Sequence, residues 1–405
     1  MKLSFCLVAC LLLGAASTPT FATDARIDTQ IRWRAENDNR AFDGTAVSSQ
    51  YLRSRLGLHL DSDEKDTHVF VQIQDSRRLG DENSGSLSND SNLGVHQAFL
   101  KVDNVFSPKL SIQVGRFEVN HGAQRLVGAV GWHNVGRSLD GVLLHGAGPR
   151  GSLQAFQLKL AEQSGVRPDI DTNLYGLYGH LVKANADGFV YYDRNDRKTK
   201  SDRVLDRWTI GAHTNRKLME EKGDVVATVA FQTGSAGSND ISAFMIAAEV
   251  GAKPIEGKPH RVAVGVDYVT GDDDPSDDEI KAFNNMYYTG HKFRGAMDLF
   301  LGSNSGGLMD LYGKGAYFAP HAWKLQVHAH LFQTAEDFTL ADNSSSSSLG
   351  AEIDFFATKK DIGRAQFDVG GSVFFPSEDW QGSDADPALW GFMSWTVNLS
   401  SDVGK

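Results

Sequence analysis

The stretch Leu52-Arg53-Ser54-Arg55-Leu56-Gly57-Leu58-His59-Leu60 decides the fold. Its apolar set, Leu52, Leu56, Leu58 and Leu60, falls on one parity, and Arg53, Arg55 and His59 fall on the other. Strict alternation of this kind marks a strand with one dry face and one wet face. The pattern recurs along the chain. Between 26 and 36, Ile27, Ile31 and Trp33 oppose Asp28, Gln30, Arg32, Arg34 and Glu36. Between 206 and 215, Trp208, Ile210 and Ala212 oppose Arg207, Thr209 and His213. Val262, Val264, Val266 and Tyr268 oppose Arg261 and Asp267, and Trp323, Leu325, Val327 and Leu331 oppose Lys324, Gln326, His328 and His330. Phe367, Val369 and Val373 oppose Arg364, Gln366 and Asp368. About 18 such segments are present, each near the length a tilted membrane strand needs. The stretches 150–161 and 174–183 alternate weakly.

Cost decides which face meets what. An Arg or Lys on a lipid face near the bilayer midplane costs ~2–4 kcal/mol. Arg32, Arg34, Arg53, Arg55, Arg207, Arg261, Lys324 and Arg364 all lie opposite apolar sets. Their sum would exceed the whole stability of a fold, so the charged face lines an interior. Trp33, Tyr268, Trp323, Phe355 and Trp395 then face outward, several near strand ends where aromatic girdles form.

The connections alternate in length as well. Short ones fall near Asp61–Lys65, Asn104–Pro108, Gly146–Arg150, Ala184–Asp187, Asn215–Gly223, Ala252–Pro259, Phe318–Pro320 and Thr358–Gly363. Long ones fall near 36–49, 76–92, 117–137, 161–174, 194–205, 271–306, 333–347 and 376–388, and Gly234–Ser238 is a short link on the long side. Short turns at one end and long loops at the other are the layout of an outer-membrane barrel. The expected fold is all-β: one antiparallel transmembrane barrel of about 18 strands, with short periplasmic turns and long extracellular loops. A soluble β-sandwich or β-helix would also alternate; the loop asymmetry, the leader described next and the cysteine-free body argue against it.

At the N-terminus, Met1-Lys2, the apolar run Leu3–Ala16 and the small-residue site Thr20-Phe21-Ala22 read as a cleavable signal peptide over 1–22, leaving 23–405 as the barrel. A second reading takes Leu7-Val8-Ala9-Cys10 as a lipoprotein signal acylated at Cys10. Both cysteines, Cys6 and Cys10, lie in the leader, so disulfides and thiol chemistry are not expected in the rest. No later apolar run nears 20 residues, which leaves a barrel or a surface contact as the route to a membrane. A net charge of −11 argues against nucleic acid as a partner.

Several stretches resemble the alginate-export family of outer-membrane barrels: YLRSRLGL at 51–58, VFVQIQDSR at 69–77, HQAFL at 96–100 and, most specifically, VGRFEVNHGAQRLVGAVGWHNVGRSLDGV at 114–142. Weaker echoes are TGDDDPSDDE at 270–279, GHKFRGAMDLF at 290–300 and LGAEIDF at 349–355. The resemblance implies a barrel that passes an anionic uronate polymer and lumen arginines that select it. Independently, Arg suits carboxylates, because its planar fork donates two parallel hydrogen bonds and keeps its charge. The expected pore lining is Arg53, Arg55, Arg77, Arg116, Arg125 and Arg137, with Asp75, Glu118 and Asp140 as counter-charges. The glycine-rich connection 117–137 is expected to fold inward as the constriction, since a wide wet pore would screen scattered charges.

The expected function is an anion-selective outer-membrane channel, with an acidic polysaccharide such as alginate as solute. Outer-membrane lipid, lipopolysaccharide and a periplasmic export protein are the expected partners. The alternatives are an uptake porin for small organic acids, a barrel enzyme or a plugged scaffold. No catalytic set, cofactor or metal is expected. Gly146–Gly151 matches GxGxxG without a following helix. Asn304-Ser305-Gly306-Gly307 lacks triad partners. His328-x-His330 reads as wall lining. The acid run Asp272, Asp273, Asp274, Asp277, Asp278 and Glu279 reads as a solvated loop rather than a calcium site, and Asn343–Ser348 as a low-complexity loop.

Overall fold

A computed structural model describes residues 23–42, 44–80, 93–162, 171–196, 204–255, 258–302 and 305–403; the leader lies outside them. Among them the strands in chain order are β1 (Thr23–Asp38), β2 (Val47–Ser62), β3 (Thr67–Arg78), β4 (Leu93–Val102), β5 (Leu110–Phe117), β6 (Leu139–Gly148), β7 (Gly151–Ala161), β8 (Thr172–Leu181), β9 (Ala186–Asn195) and β10 (Leu205–Leu218). They continue with β11 (Gly223–Ala236), β12 (Asn239–Ala252), β13 (Arg261–Val269), β14 (Glu279–Ile280), β15 (Leu308–Ala319), β16 (Trp323–Thr339), β17 (Ser345–Ile362), β18 (Ala365–Pro376) and β19 (Ala388–Val403). Each wall strand pairs antiparallel with its neighbours, and β19 returns to β1, so the sheet closes with no free edge. The two-residue β14 is a loop segment laid parallel to β12; β13 pairs directly with β15, leaving eighteen strands in the wall. In a membrane only such a closed ladder satisfies every strand N–H and C=O.

The register fixes the faces. Across β1 and β2, Trp33 stands opposite Leu52 and Arg32 opposite Arg53, so one parity is apolar and the next charged. The apolar parity points out: Ile31 is 49%, Val264 69% and Leu331 60% exposed, as side chains that lipid covers must be. A soluble chain does not expose so continuous an apolar belt. Val264→Arg is therefore expected to cost ~2–4 kcal/mol, near the strand's centre. Folding into lipid vesicles, followed by the heat-dependent gel mobility of barrels, checks this; an unchanged folded fraction would place Val264 off the lipid face.

All eight short turns lie at one rim. The tight Ala236–Asn239 hairpin sits among the long loops, and both chain ends of the barrel come down at the short-turn rim, where Ala25 pairs Val403. One expectation fails. Asn343–Ser348 is not wholly loop, because Ser345–Ser348 extend β17 and pair with the long β16. Serine tolerates strand geometry once a partner strand satisfies its backbone.

The weak alternation of 150–161 and 174–183 has a structural cause. There the inner face is apolar too. Phe156, Leu158, Leu174, Phe189 and Tyr191 are buried in one cluster with Val119, Leu126 and Val127 of the 118–138 connection. The connection between β13 and β15 enters the lumen as well, where Phe300 packs on Phe332 at 4.6 Å and Met297 is fully buried. Strands that carry a folded-in loop read as buried on both faces.

Candidate functional site

Five successive backbone carbonyls of the 118–138 connection are held by the inner wall. Arg32 donates to Gly131 O at 2.9 Å, to Trp132 O at 2.9 Å and to His133 O at 3.2 Å. Arg53 donates to Gly131 O at 3.1 Å and His133 O at 3.2 Å, and Arg34 to Trp132 O at 2.5 Å. Ser76 Oγ donates to Asn134 O at 2.9 Å, and Gln74 Nε2 to Val135 O at 2.8 Å. In return Asn134 Nδ2 donates to Leu52 O and Arg77 O, both at 3.2 Å. Arg34 also lies over the Trp132 ring at 4.1 Å and pairs with Glu36 at 2.5 Å. Hydrogen bonds from a charged donor are among the stronger ones, about 1.5–3 kcal/mol each. The segment is pinned along β1–β3.

Further along, Arg55 meets Glu118 at 3.3 Å, Gln74 Oε1 at 2.5 Å and His96 Nε2 at 2.9 Å. Arg137 donates to Gly128 O at 3.1 Å, Tyr288 O at 3.2 Å and Tyr287 O. It thereby joins the two inward connections, which also exchange Gly128 N to Tyr287 O at 2.9 Å and Tyr287 N to Leu126 O at 2.8 Å. Gly128 is needed for this approach, because a Cβ there would overlap Thr289 Oγ1. On the far side, His121 stacks on Tyr178 at 4.2 Å and its nitrogens reach Tyr191 OH at 2.9 Å and Gln154 Oε1 at 3.0 Å. Burial pushes this imidazole down to about 4, so it is neutral at physiological pH. Arg125 pairs with Asp267, which Arg294 also approaches at 3.5 Å.

Five of the nine expected lining residues therefore sit inside: Arg53, Arg55, Glu118, Arg125 and Arg137. The other four do not. Asp75 and Arg77 share the outward parity of Val71 and Ile73 and pair with each other at 2.5 Å. Arg116 and Asp140 share the parity of Val114 and Leu144 and form a two-bond pair at 2.7 and 2.6 Å, about half exposed. The counter-charge pairing is as expected, but on the outer face at the long-loop rim. There, near the bilayer interface, a charge costs only ~0–1 kcal/mol. Parity was the available signal, and it places these four outside. It also places Arg32 and Arg34 inside, which the expected lining omitted; His96 and Gln74 on the inner parities of β4 and β3 were likewise missed.

Around residues 131–137, five guanidiniums (Arg32, Arg34, Arg53, Arg55 and Arg137) find two carboxylate ion-pair partners, Glu36 and Glu118, among the described residues. Two recesses flank the connection. One of about 660 Å³ lies at the long-loop rim, where β4 and β5 part above Ala98, and is lined by Gln74, His96, Gly136 and Arg137 together with the outer-face Arg116. One of about 270 Å³ lies toward the short turns and is lined by Lys101, Glu118, His121 and His145.

The discounted motifs resolve simply. Gly146–Gly151 is the β6–β7 hairpin, with Gly148 paired to Gly151. Lys281 ties the acid run from within, at 2.6 Å from Asp273 and 3.7 Å from Glu279, one cation against six carboxyl groups. Asn304 lies outside the described residues.

A closed barrel with an apolar exterior, a charged interior and inward-folded connections defines an outer-membrane β-barrel channel. The family model described as alginate export matches residues 24–305, and the chain belongs to that family. The fold is similar to that of the outer membrane protein OpdK from Pseudomonas aeruginosa, at 12% identity and TM-score 0.63, over 93% of this chain and 99% of that one. It is also similar to OccAB2 from Acinetobacter baumannii, at 11% identity and TM-score 0.62, over 95% and 100% of the two chains. OpdQ from Pseudomonas aeruginosa, at 10% identity and TM-score 0.62, covers 94% of this chain and 98% of its own. No curated protein sequence matches this chain. The family and these neighbours place it in the bacterial outer membrane.

Proposed function

We propose that the barrel conducts anionic, carboxylate-bearing solutes past the constriction. The observation that carries this is the excess of guanidinium over carboxylate around residues 131–137. Most of these arginines act through their field, since Arg32, Arg34 and Arg53 are at least nine-tenths buried under the segment they hold. At 8 Å and an effective dielectric of 20, one charge is worth about 2 kcal/mol before screening. Five arranged together suffice for selectivity, while none binds the solute so tightly that it cannot leave. Family membership makes an acidic polysaccharide such as alginate the first candidate. The outward pairs Arg77–Asp75 and Arg116–Asp140 suit the headgroup zone, where lipopolysaccharide is the expected neighbour.

A second reading, uptake of small organic acids, is favoured by the packing of two connections into the lumen and by recesses of about 660 and 270 Å³. A protein of similar fold, OpdK from Pseudomonas aeruginosa, has been crystallised with vanillate. Uronate oligomers of increasing length separate the readings: block of current that strengthens with length supports the polymer, block by monomers alone supports small acids.

Purified protein in a planar bilayer under a salt gradient is expected to give a reversal potential on the anion side. Arg55→Glu or Arg137→Glu should lower the anion-to-cation permeability ratio several-fold. Cation preference, indifferent to both substitutions, would overturn the proposal, and absence of conductance would favour a plugged scaffold.

A further inference from the structure

We propose that His328, His330 and Asp354, on the inner faces of β16 and β17, form a binding site for a divalent first-row transition-metal ion of the zinc class. The three residues bring one ligand atom each within 4.8 Å of one another. His330 Nε2 lies 3.7 Å and His328 Nδ1 3.9 Å from Asp354 Oδ2. Both gaps are too long for hydrogen bonds. A tetrahedral ion with bonds of about 2.0–2.2 Å holds its ligand atoms about 3.4 Å apart, so a small turn of the partly exposed His328 closes the set.

Two features point to a ligand. Asp354 is 1% exposed; its Oδ2 faces both rings, and its carboxyl also shares a hydrogen bond with that of Glu352. Its other oxygen is fixed by Ser372 Oγ at 2.5 Å, which aims Oδ2 at the rings. His330 turns its opposite nitrogen, Nδ1, to Asp310 at 2.9 Å, the carboxylate–imidazole orientation that presents Nε2 to a metal. Asp310, Asp354 and Glu352 bring three carboxyl groups to this buried patch, with a proton shared between Glu352 and Asp354. Lys314, directly across from His328, is already held by Glu249 at 3.1 Å. Two imidazoles and a carboxylate suit Zn²⁺, Cu²⁺ or Ni²⁺ and leave one position open toward the lumen on the His328 side. Bound there, the ion would staple β16 to β17. Glu352, which accepts from Ala296 N at 2.7 Å and Met297 N at 2.9 Å, extends that anchor to the second inward connection.

The test uses the full barrel purified in detergent and stripped with a chelator. Co²⁺ titration should raise the visible bands of a tetrahedral N/O site to a plateau at one equivalent, and Zn²⁺ should displace them. Zn²⁺ should also raise the temperature of the heat-dependent gel shift. His328→Ala and Asp354→Asn should each abolish the bands, and Asp310→Asn should weaken Co²⁺ about ten- to a hundredfold. A native gel shift in each variant reports folding; if Asp354→Asn misfolds, His328→Ala decides alone. Absence of saturable bands, or bands that persist in His328→Ala, would overturn the site.

Discussion

Replacing Arg32 and Arg53 together by alanine is expected to raise single-channel conductance several-fold and to reduce anion preference. These two side chains make five of the hydrogen bonds that pin Gly131, Trp132 and His133 to β1 and β2. Each is charge-assisted, so their loss removes about 1.5–3 kcal/mol per bond of gross restraint. The bonds from Ser76 and Gln74 remain, at Asn134 and Val135. With Arg34, which still donates to Trp132 O, they keep three carbonyls tethered, while Gly131 and His133 lose their wall partners and gain room to move. Removing two of the five guanidiniums also lowers the positive field at the same place, so width and selectivity should change together. Wild-type conductance from a correctly folded double variant would show that residues 131–135 do not set the pore.

The second large effect concerns Asp267, which is 1% exposed and meets both Arg125 and Arg294. Arg125 belongs to the first inward connection and Arg294 to the second, so one carboxylate on β13 anchors both. Arg125 further lies over the Phe293 ring at 4.0 Å. Asp267→Ala leaves two buried guanidiniums without the carboxylate that pairs with both among the described residues. Breaking a buried pair in this way costs about 3–5 kcal/mol. The barrel should lose its folded gel mobility at a clearly lower temperature than wild type, and protease should cut within 118–138 or 270–302. Asp267→Asn, which keeps the shape but not the charge, should fall between the two. An unaltered transition in Asp267→Ala would mean that the wall alone carries the stability.

The same residues show how far the sequence reached. The period of two is a local property, because successive side chains of any strand leave on opposite faces. The closed wall, its lipid face and the alternation of turn lengths were therefore legible along most of the chain, and faint at 150–161, 174–183 and 345–348. Parity also held the positions of Asp75, Arg77, Arg116 and Asp140, whose neighbours Val71, Ile73, Val114 and Leu144 face lipid. Their grouping with the lumen followed residue type where parity should have ruled. They sit at the rim, where a charged residue is tolerated on either face, and composition alone does not discriminate there.

What lay beyond the sequence was everything that depends on two distant segments meeting. The chain foretold that 117–137 would fold inward, because glycines permit it. It carried no local mark that 270–307 would follow, or that Tyr287 would pair with Val127 across the lumen. It did not say that Arg32, Arg34 and Arg53 would spend their hydrogen bonds on a neighbouring backbone rather than stand free. Nor could it bring Asp354 to within 4 Å of His328 and His330, since that depends on the register between two strands. Alternation is written residue by residue in the covalent chain, so the wall could be read there. The occupants of the lumen are selected by packing and by buried charge seeking a partner, and those forces act only once the wall has closed.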